Sequence, residues 1–193
     1  MEKKTKIIVI AVVIVAIIGL SATLLVLFKS ESVIRINDLA LTSKDVPNGY
    51  AKGPEYYNSN AEAELGSTYP GISEAYWVYF EHNSDTSKKI VCAILKFESA
   101  DLANDSFDFY TPAGSTTSDL FELVDVDTIG EESVVKTANI SDNGINHLQT
   151  TATFRISNII VSIITILDPE EDNLSLTLNL AKIVEQRIYD SIT

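Results

Sequence analysis

The chain has 193 residues, with 27 acidic side chains against 14 basic ones, a formal charge of −13 and a single Cys. One Cys excludes an internal disulfide, so stability must come from packing. The acidic excess repels nucleic acid and anionic lipid headgroups, and no DNA or RNA partner is expected.

Ile7 to Phe28 is a run of 22 residues without a charge, an Asn, a Gln or a Pro. At about 1.5 Å rise per residue it exceeds the roughly 30 Å hydrocarbon core. Inside lipid a lone segment satisfies its backbone only as a helix, so the run reads as one transmembrane helix despite its many Ile and Val residues. A cleaved signal peptide has a shorter apolar core, and here Leu24 to Phe28 continues beyond the small residues Ser21-Ala22-Thr23. Lys3, Lys4, Lys6 and the terminal amine place the N-terminus in the cytoplasm. From Ser30 onward ten basic residues face 26 acidic ones, a formal charge of −16. The expected organisation is a cytoplasmic tail over 1–6, the membrane helix over 7–28, a tether and domain entry over 29–50, and one extracytoplasmic domain over 51–193. About 160 residues after the helix suit one core better than two.

Within the entry, Val33 to Leu41 is mildly apolar and Pro47-Asn48-Gly49 offers turn chemistry. Ser59 and Glu62 stand at capping-box spacing ahead of a short helix that Gly66 stops. Ala75 to Glu81 and Lys89 to Phe97 are rich in aromatic and β-branched residues on either side of a polar turn, which predicts two antiparallel strands. Both faces of the second are apolar, so it should lie inside the sheet, and Cys92 within it is a small buried residue. Ser99 caps a predicted helix reaching about Tyr110, ended by Pro112 and Gly114. Leu120 to Val126 and Ser133 to Ile140 read as strands, and Asp142-Asn143-Gly144 as a tight hairpin turn into Ile145 to Ile156. Ile145 to Leu167 is too long for one strand, so a turn or bulge is expected at Ser157-Asn158. The last element is a helix, with Asp168 as cap, Pro169 in the first turn, Glu171 completing the capping box, and Leu180, Val184, Ile188 and Ile192 on its buried face. The predicted fold class is α+β, a mainly antiparallel sheet packed by helices and ending in a C-terminal helix.

Catalytic signatures are sparse. His82 and His147 have no second His or Cys at ligand spacing, so no metal is expected, and no nucleophile elbow, phosphate loop or dinucleotide fingerprint occurs. Asp125-Val-Asp127-Thr-Ile-Gly130-Glu131-Glu132 imitates the start of a calcium loop, but Ile129 and Lys136 stand where oxygen ligands belong. Asp168, Glu170, Glu171 and Asp172 are explained by the positive end of the helix they precede. No cofactor and no catalytic residue is assigned, and the chain is expected not to be an enzyme. Among Tyr76, Trp77, Tyr79 and Phe80, strand alternation turns half outward, so Trp77 and Tyr79 are candidate ligand contacts. Asn104, Asn139 and Asn173 fit the Asn-Xaa-Ser glycosylation pattern.

Ile129-Gly130-Glu131-Glu132, Phe154-Arg155-Ile-Ser-Asn158-Ile-Ile-Val161 and Leu180-Ala181-Lys182 through Arg187-Ile188 carry a resemblance. Their order resembles prokaryotic membrane-anchored or lipid-anchored extracytoplasmic domains of the sensor-domain and lipoprotein type. In that group an Arg-Xaa-Gly-Asn-like bend leads into a strand and a final helix, and here Ser157 replaces the Gly. The resemblance implies ligand sensing or interaction at the cell envelope and carries over no catalytic residue. It adds Arg155 and Asn158 as candidate contacts, although both also read as polar groups that end strand pairing.

The leading expectation is a single-pass, non-catalytic binding or interaction module outside the cytoplasm, whose partner is an unknown protein or small molecule. A pilin-like assembly subunit is the alternative, although Lys6-Ile7 lacks the processing residue and the early Glu of that layout. A hydrolase without a recognisable motif is the third.

Overall fold

The computed structural model describes residues 35–108, 121–142 and 144–193. The expected membrane helix, the cytoplasmic tail and the predicted turn residues Pro112, Gly114 and Asn143 lie outside these residues. Among the described residues no helix is long and apolar enough to cross a membrane.

Seven strands form one antiparallel sheet: β1 (Tyr50–Asn58), β2 (Ile72–His82), β3 (Asp85–Phe97), β4 (Glu122–Leu123), β5 (Glu132–Asp142), β6 (Ile145–Ile156) and β7 (Ile159–Leu167). Their spatial order is β1-β2-β3-β7-β6-β5-β4. Among the described residues four helices accompany it: α1 (Ile36–Leu39), α2 (Glu62–Leu65), α3 (Ala100–Phe107) and α4 (Asn173–Ile192). The α+β class and the antiparallel sheet are as the sequence predicts, and β3 is an interior strand with Cys92 fully buried. Burial pushes the Cys92 thiol up to about 12, so it stays protonated and inert.

Strand alternation divides the sheet into two faces. On one, Val78, Phe80, Ile90, Cys92, Ile94, Ala152, Phe154, Val161 and Ile163 are buried, and α4 packs there on β6 and β7 through Leu180, Ala181, Val184 and Ile188. Ile192, expected to continue that stripe, is 50% exposed at the fraying end of the helix. The same face is extended by α1, where Ile36 and Leu39 are buried and contact β2, β3 and α4. The compact unit therefore begins at Arg35, inside the stretch expected to be a tether. Arg187 on α4 fixes this entry, donating to the Ala40 carbonyl at 2.6 Å and to both Asp45 carboxylate oxygens at 2.8 and 2.9 Å.

Several local expectations are corrected. The strand β1 was not foreseen, because Gly53-Pro54 interrupts it; an edge strand accepts Pro, and its register slips between Lys52 and Glu55. The helix α2 does end at Gly66, but its N-cap is Ala61 rather than Ser59 and has no side-chain cap. The cap of α4 is Asp172, which accepts from the Ser175 N–H at 3.1 Å, four residues beyond Asp168. Asp168 and Glu171 instead hold Lys88 at 2.5 and 2.6 Å, and their hydrogen bonds raise its pKa. Asn173 is drawn into the core, where its side chain binds Thr165 and the Leu148 carbonyl, so it cannot serve as a glycosylation site. Ser99 does cap α3, accepting from the Leu102 N–H at 3.3 Å. The predicted strand Leu120 to Val126 pairs only over β4, a short edge.

The bend at Ser157-Asn158 is a tight turn between β6 and β7, and Ser157 takes a left-handed φ of 52° in the place of a glycine. Two backbone contacts hold it there. Its N–H donates to Glu131 at 3.1 Å, and its carbonyl accepts from Arg155 at 3.0 Å.

Candidate functional site

Among the described residues the second sheet face is covered only at one end. Ala75, Leu95 and Ile160 lie side by side across β2, β3 and β7, and they bury with Ala61, Ala103 and Phe107 under the α2 and α3 segments. One step along the strands runs the row Trp77, Ala93, Ser162, Thr153 and Val134, from β2 to β5. The next row is Tyr79, Val91, Ile164, Thr151 and Lys136. The first row, together with Ile164, Thr151 and Lys136 of the second, forms the floor of an open groove of about 330 Å³, with Phe121 at the β4 side.

The groove is apolar along its length and hydroxyl-bearing in the middle. Trp77 is held from outside by Tyr56, whose ring centroid is 5.1 Å away at 48°, and Tyr56 is in turn fixed by donating to Glu64 at 2.5 Å. The small Ala93 beside Trp77 leaves depth on β3. Thr153 and Ser162 share a hydrogen bond at 3.0 Å, and the Gln149 amide donates to Thr151 at 3.3 Å. Each hydroxyl keeps bonding capacity beyond its one partner, since it offers one donor and two acceptor positions. A floor of mixed apolar and orienting polar groups on a rigid sheet is suited to binding an amphipathic molecule.

The four residues singled out from sequence separate into two pairs. Trp77 lines the groove and Tyr79, 37% exposed, stands one row along the same face. Arg155 is taken up by Glu131 and Glu132, with its Nη1 2.7 Å from Glu131. Asn158 donates to the Phe97 carbonyl at 2.6 Å and its own carbonyl accepts from the Phe97 N–H at 2.9 Å. These contacts give Arg155 and Asn158 a role in joining the β6–β7 turn to β3 and β5. They also engage the last two acids of the calcium-like stretch, while Ile129 is buried in place of a ligand. The residues missed from sequence are Lys136, Thr151, Thr153 and Ser162. The signal was present: Gln149, Thr151 and Thr153 alternate with buried residues, and Ser162 interrupts an otherwise apolar strand.

A second hollow, of about 350 Å³, lies at the far end of the same face between Asp85, Lys89, Ile140, Ile145 and Ile166. His147 borders it, 1% exposed, and neither ring nitrogen has a hydrogen-bond partner among the described residues. Because both nitrogens are sealed from the hollow, the ring presents no donor or acceptor to an occupant there.

No family model matches the chain, and no curated protein matches it. Among solved structures, the extracellular domain of PknH from Mycobacterium tuberculosis is similar with a TM-score of 0.50 and 14% identity. The match covers 78% of this chain and 94% of that domain. That likeness shows the fold. An uncharacterised protein from Mycobacterium smegmatis matches with a TM-score of 0.49 and 9% identity, over 82% of this chain and all of its own (100%).

Proposed function

We propose that the chain is a single-pass, membrane-anchored binding module whose domain lies outside the cytoplasm and takes a small amphipathic ligand in the sheet groove. The observation that carries this reading is the groove itself, a stiff, half-apolar surface of five strands that the described helices leave open. Its volume falls at the lower end of the range of small-molecule sites, roughly 300 to 1,000 Å³. Placement outside the cytoplasm is supported by the charge asymmetry across Ile7 to Phe28 and by the fold shared with an extracellular domain. A non-catalytic role is favoured because the groove-lining side chains among the described residues include no paired acid and base and no activated nucleophile.

Native mass spectrometry of the full-length protein, extracted from its own membrane in a neutral detergent, tests the reading. A retained small-molecule adduct is expected on the wild type and not on Ala93→Phe, which fills the groove beside Trp77. An adduct that persists unchanged on Ala93→Phe would place the binding elsewhere and overturn the proposal. Accessibility of the C-terminal domain to a protease added to intact cells tests the topology, and protection of the domain would contradict it.

A further inference from the structure

Among the described residues six of the ten cations have an ion pair, the exposed Lys52 with Glu55 and five others. Lys88 pairs with Asp168 and Glu171, Lys89 with Glu81, Lys96 with Glu74, Arg155 with Glu131 and Glu132, and Arg187 with Asp45. Every one of those five cations is partly buried. Lys136 is partly buried too, yet among the described residues it has neither an ion pair nor a side-chain hydrogen bond. The other cations without an ion pair, Arg35, Lys44 and Lys182, are exposed and need none.

The acidic excess makes this unexpected. From Ser30 onward 26 carboxylates are available for ten cations, so a partly desolvated Lys with no acid beside it is not short of partners by composition. Its place in the sheet explains the isolation: its neighbours across the strands are Thr151 and Leu123, and the groove lining around it is Thr, Gln, Ser and apolar side chains. Among the described residues Lys136 is the one charged side chain that lines the groove. It stands at the β5 end, four strand spacings from Trp77 on β2, or about 19 Å along the sheet at about 4.8 Å per strand.

We propose that Lys136 receives the anionic head, a carboxylate or phosphate, of a ligand whose apolar body lies across Ile164 and Ala93 toward Trp77. This rests on the groove being the binding site and adds the charge and direction of its occupant. An ammonium without a carboxylate partner in a half-apolar cleft gains a charge-assisted bond from such a head, whereas a cationic ligand would meet like charge at close range. The general negative field of the domain opposes anions at long range, so selectivity must come from this one local cation and its hydroxyl neighbours.

Trp77 is the only Trp of the chain, so its emission reports on the groove directly. The full-length protein in neutral maltoside micelles is titrated with dodecanoate, dodecyl phosphate, dodecylammonium and 1-dodecanol, whose chains extend toward Trp77 when the head is held by the long Lys136 side chain. Saturable changes in Trp77 emission are expected for the two anions. Lys136→Gln should weaken them about tenfold or more, the loss of one charge-assisted bond, and Lys136→Arg should restore most of the affinity. Dodecylammonium binding as tightly as dodecanoate, or an affinity for dodecanoate unchanged in Lys136→Gln, refutes the anion assignment while leaving the groove as the site. Emission indifferent to all four probes refutes both.

Discussion

Arg187→Ala is expected to loosen the entry of the domain without touching the groove. The side chain is 29% exposed and its partner Asp45 12%, so the pair is mostly desolvated. Three bonds are lost, two to the carboxylate and one to the Ala40 carbonyl. Breaking a buried pair costs about 3–5 kcal/mol and hydrogen bonds to charged groups about 1.5–3 each. Asp45 keeps its bonds from the Thr42 N–H and hydroxyl, at 2.6 and 2.7 Å, and water reaches part of the site. The net cost is therefore placed at about 2–3 kcal/mol, or a fall in Tm of about 4–12 °C for a domain of this size. Chemical denaturation of the full-length protein in micelles, followed by Trp77 emission, measures it, with the slope unchanged. The effect also has a pH signature. Burial pushes the Asp45 carboxyl up, but the Thr42 bonds and Arg187 outweigh it and the folded pKa is lowered. A lowered folded pKa contributes stability above the unfolded value of about 3.9 and loses it as pH falls through the folded value. The gap between wild type and Arg187→Ala should thus begin to narrow below about pH 3.9 and go on narrowing as pH falls through the lowered folded value, leaving the share due to the Ala40 carbonyl bond. A loss under about 1 kcal/mol at neutral pH, or a gap that stays constant into acid, refutes this account of the clamp.

Three further substitutions probe the turn region and the buried His. Ser157→Gly should stabilise the domain by about 0.5–1 kcal/mol, since relief of the left-handed penalty of about 1–2 exceeds the extra unfolded freedom of Gly. The bonds to Glu131 and Arg155 are made by the Ser157 backbone and survive the change, so a measured loss would mean that the hydroxyl matters. Gly130→Ala should cost more than about 2 kcal/mol in the same denaturation assay, because φ is +67° and a Cβ would sit 2.6 Å from the Arg155 carbonyl. A near-neutral result would show that the Ile129-Gly130 corner is free to move. His147→Leu should be neutral or stabilising by about 1 kcal/mol, as it removes two buried ring nitrogens without hydrogen-bond partners among the described residues, Nδ1 only facing Asp168 at 3.9 Å. A loss greater than about 1 kcal/mol would reveal a partner for the ring.

Much of the fold was legible because the apolar pattern and the turn chemistry agreed. Ile159 to Leu167 is apolar on both faces and became the middle strand of the sheet. The bend at Ser157-Asn158 followed from length, since no single strand runs from Ile145 to Leu167, and from the polar interruption that Ser157-Asn158 makes in its apolar second half. The failures share a cause, which is a tertiary contact that outbids a local signal. Asp168 has the spacing of a cap, but Lys88 on β3 claims it together with Glu171, and the helix starts later. Gly53-Pro54 spoils the strand pattern of Tyr50 to Asn58, but β1 pairs on one side only, so its outer edge tolerates a missing donor.

The groove was half legible for a reason that concerns sheets in general. Alternation assigns Trp77 and Tyr79 to the same face, but it does not say how far the helices cover that face. Coverage is set by helix length. With 20 residues α4 spans the opposite face, whereas α2 and α3, of 4 and 8 residues, close over the Ala75, Leu95 and Ile160 row and stop. The rows beyond are left with partly apolar side chains that a fully solvated face would not select, among them Val91, Val134 and Ile164. Lys136 belongs to the same surface, and its meaning is carried by what is missing around it. A lysine on a strand is ordinary in sequence; a lysine without an acid, in a domain where every other partly buried cation has one, is visible only when all the pairs are seen together.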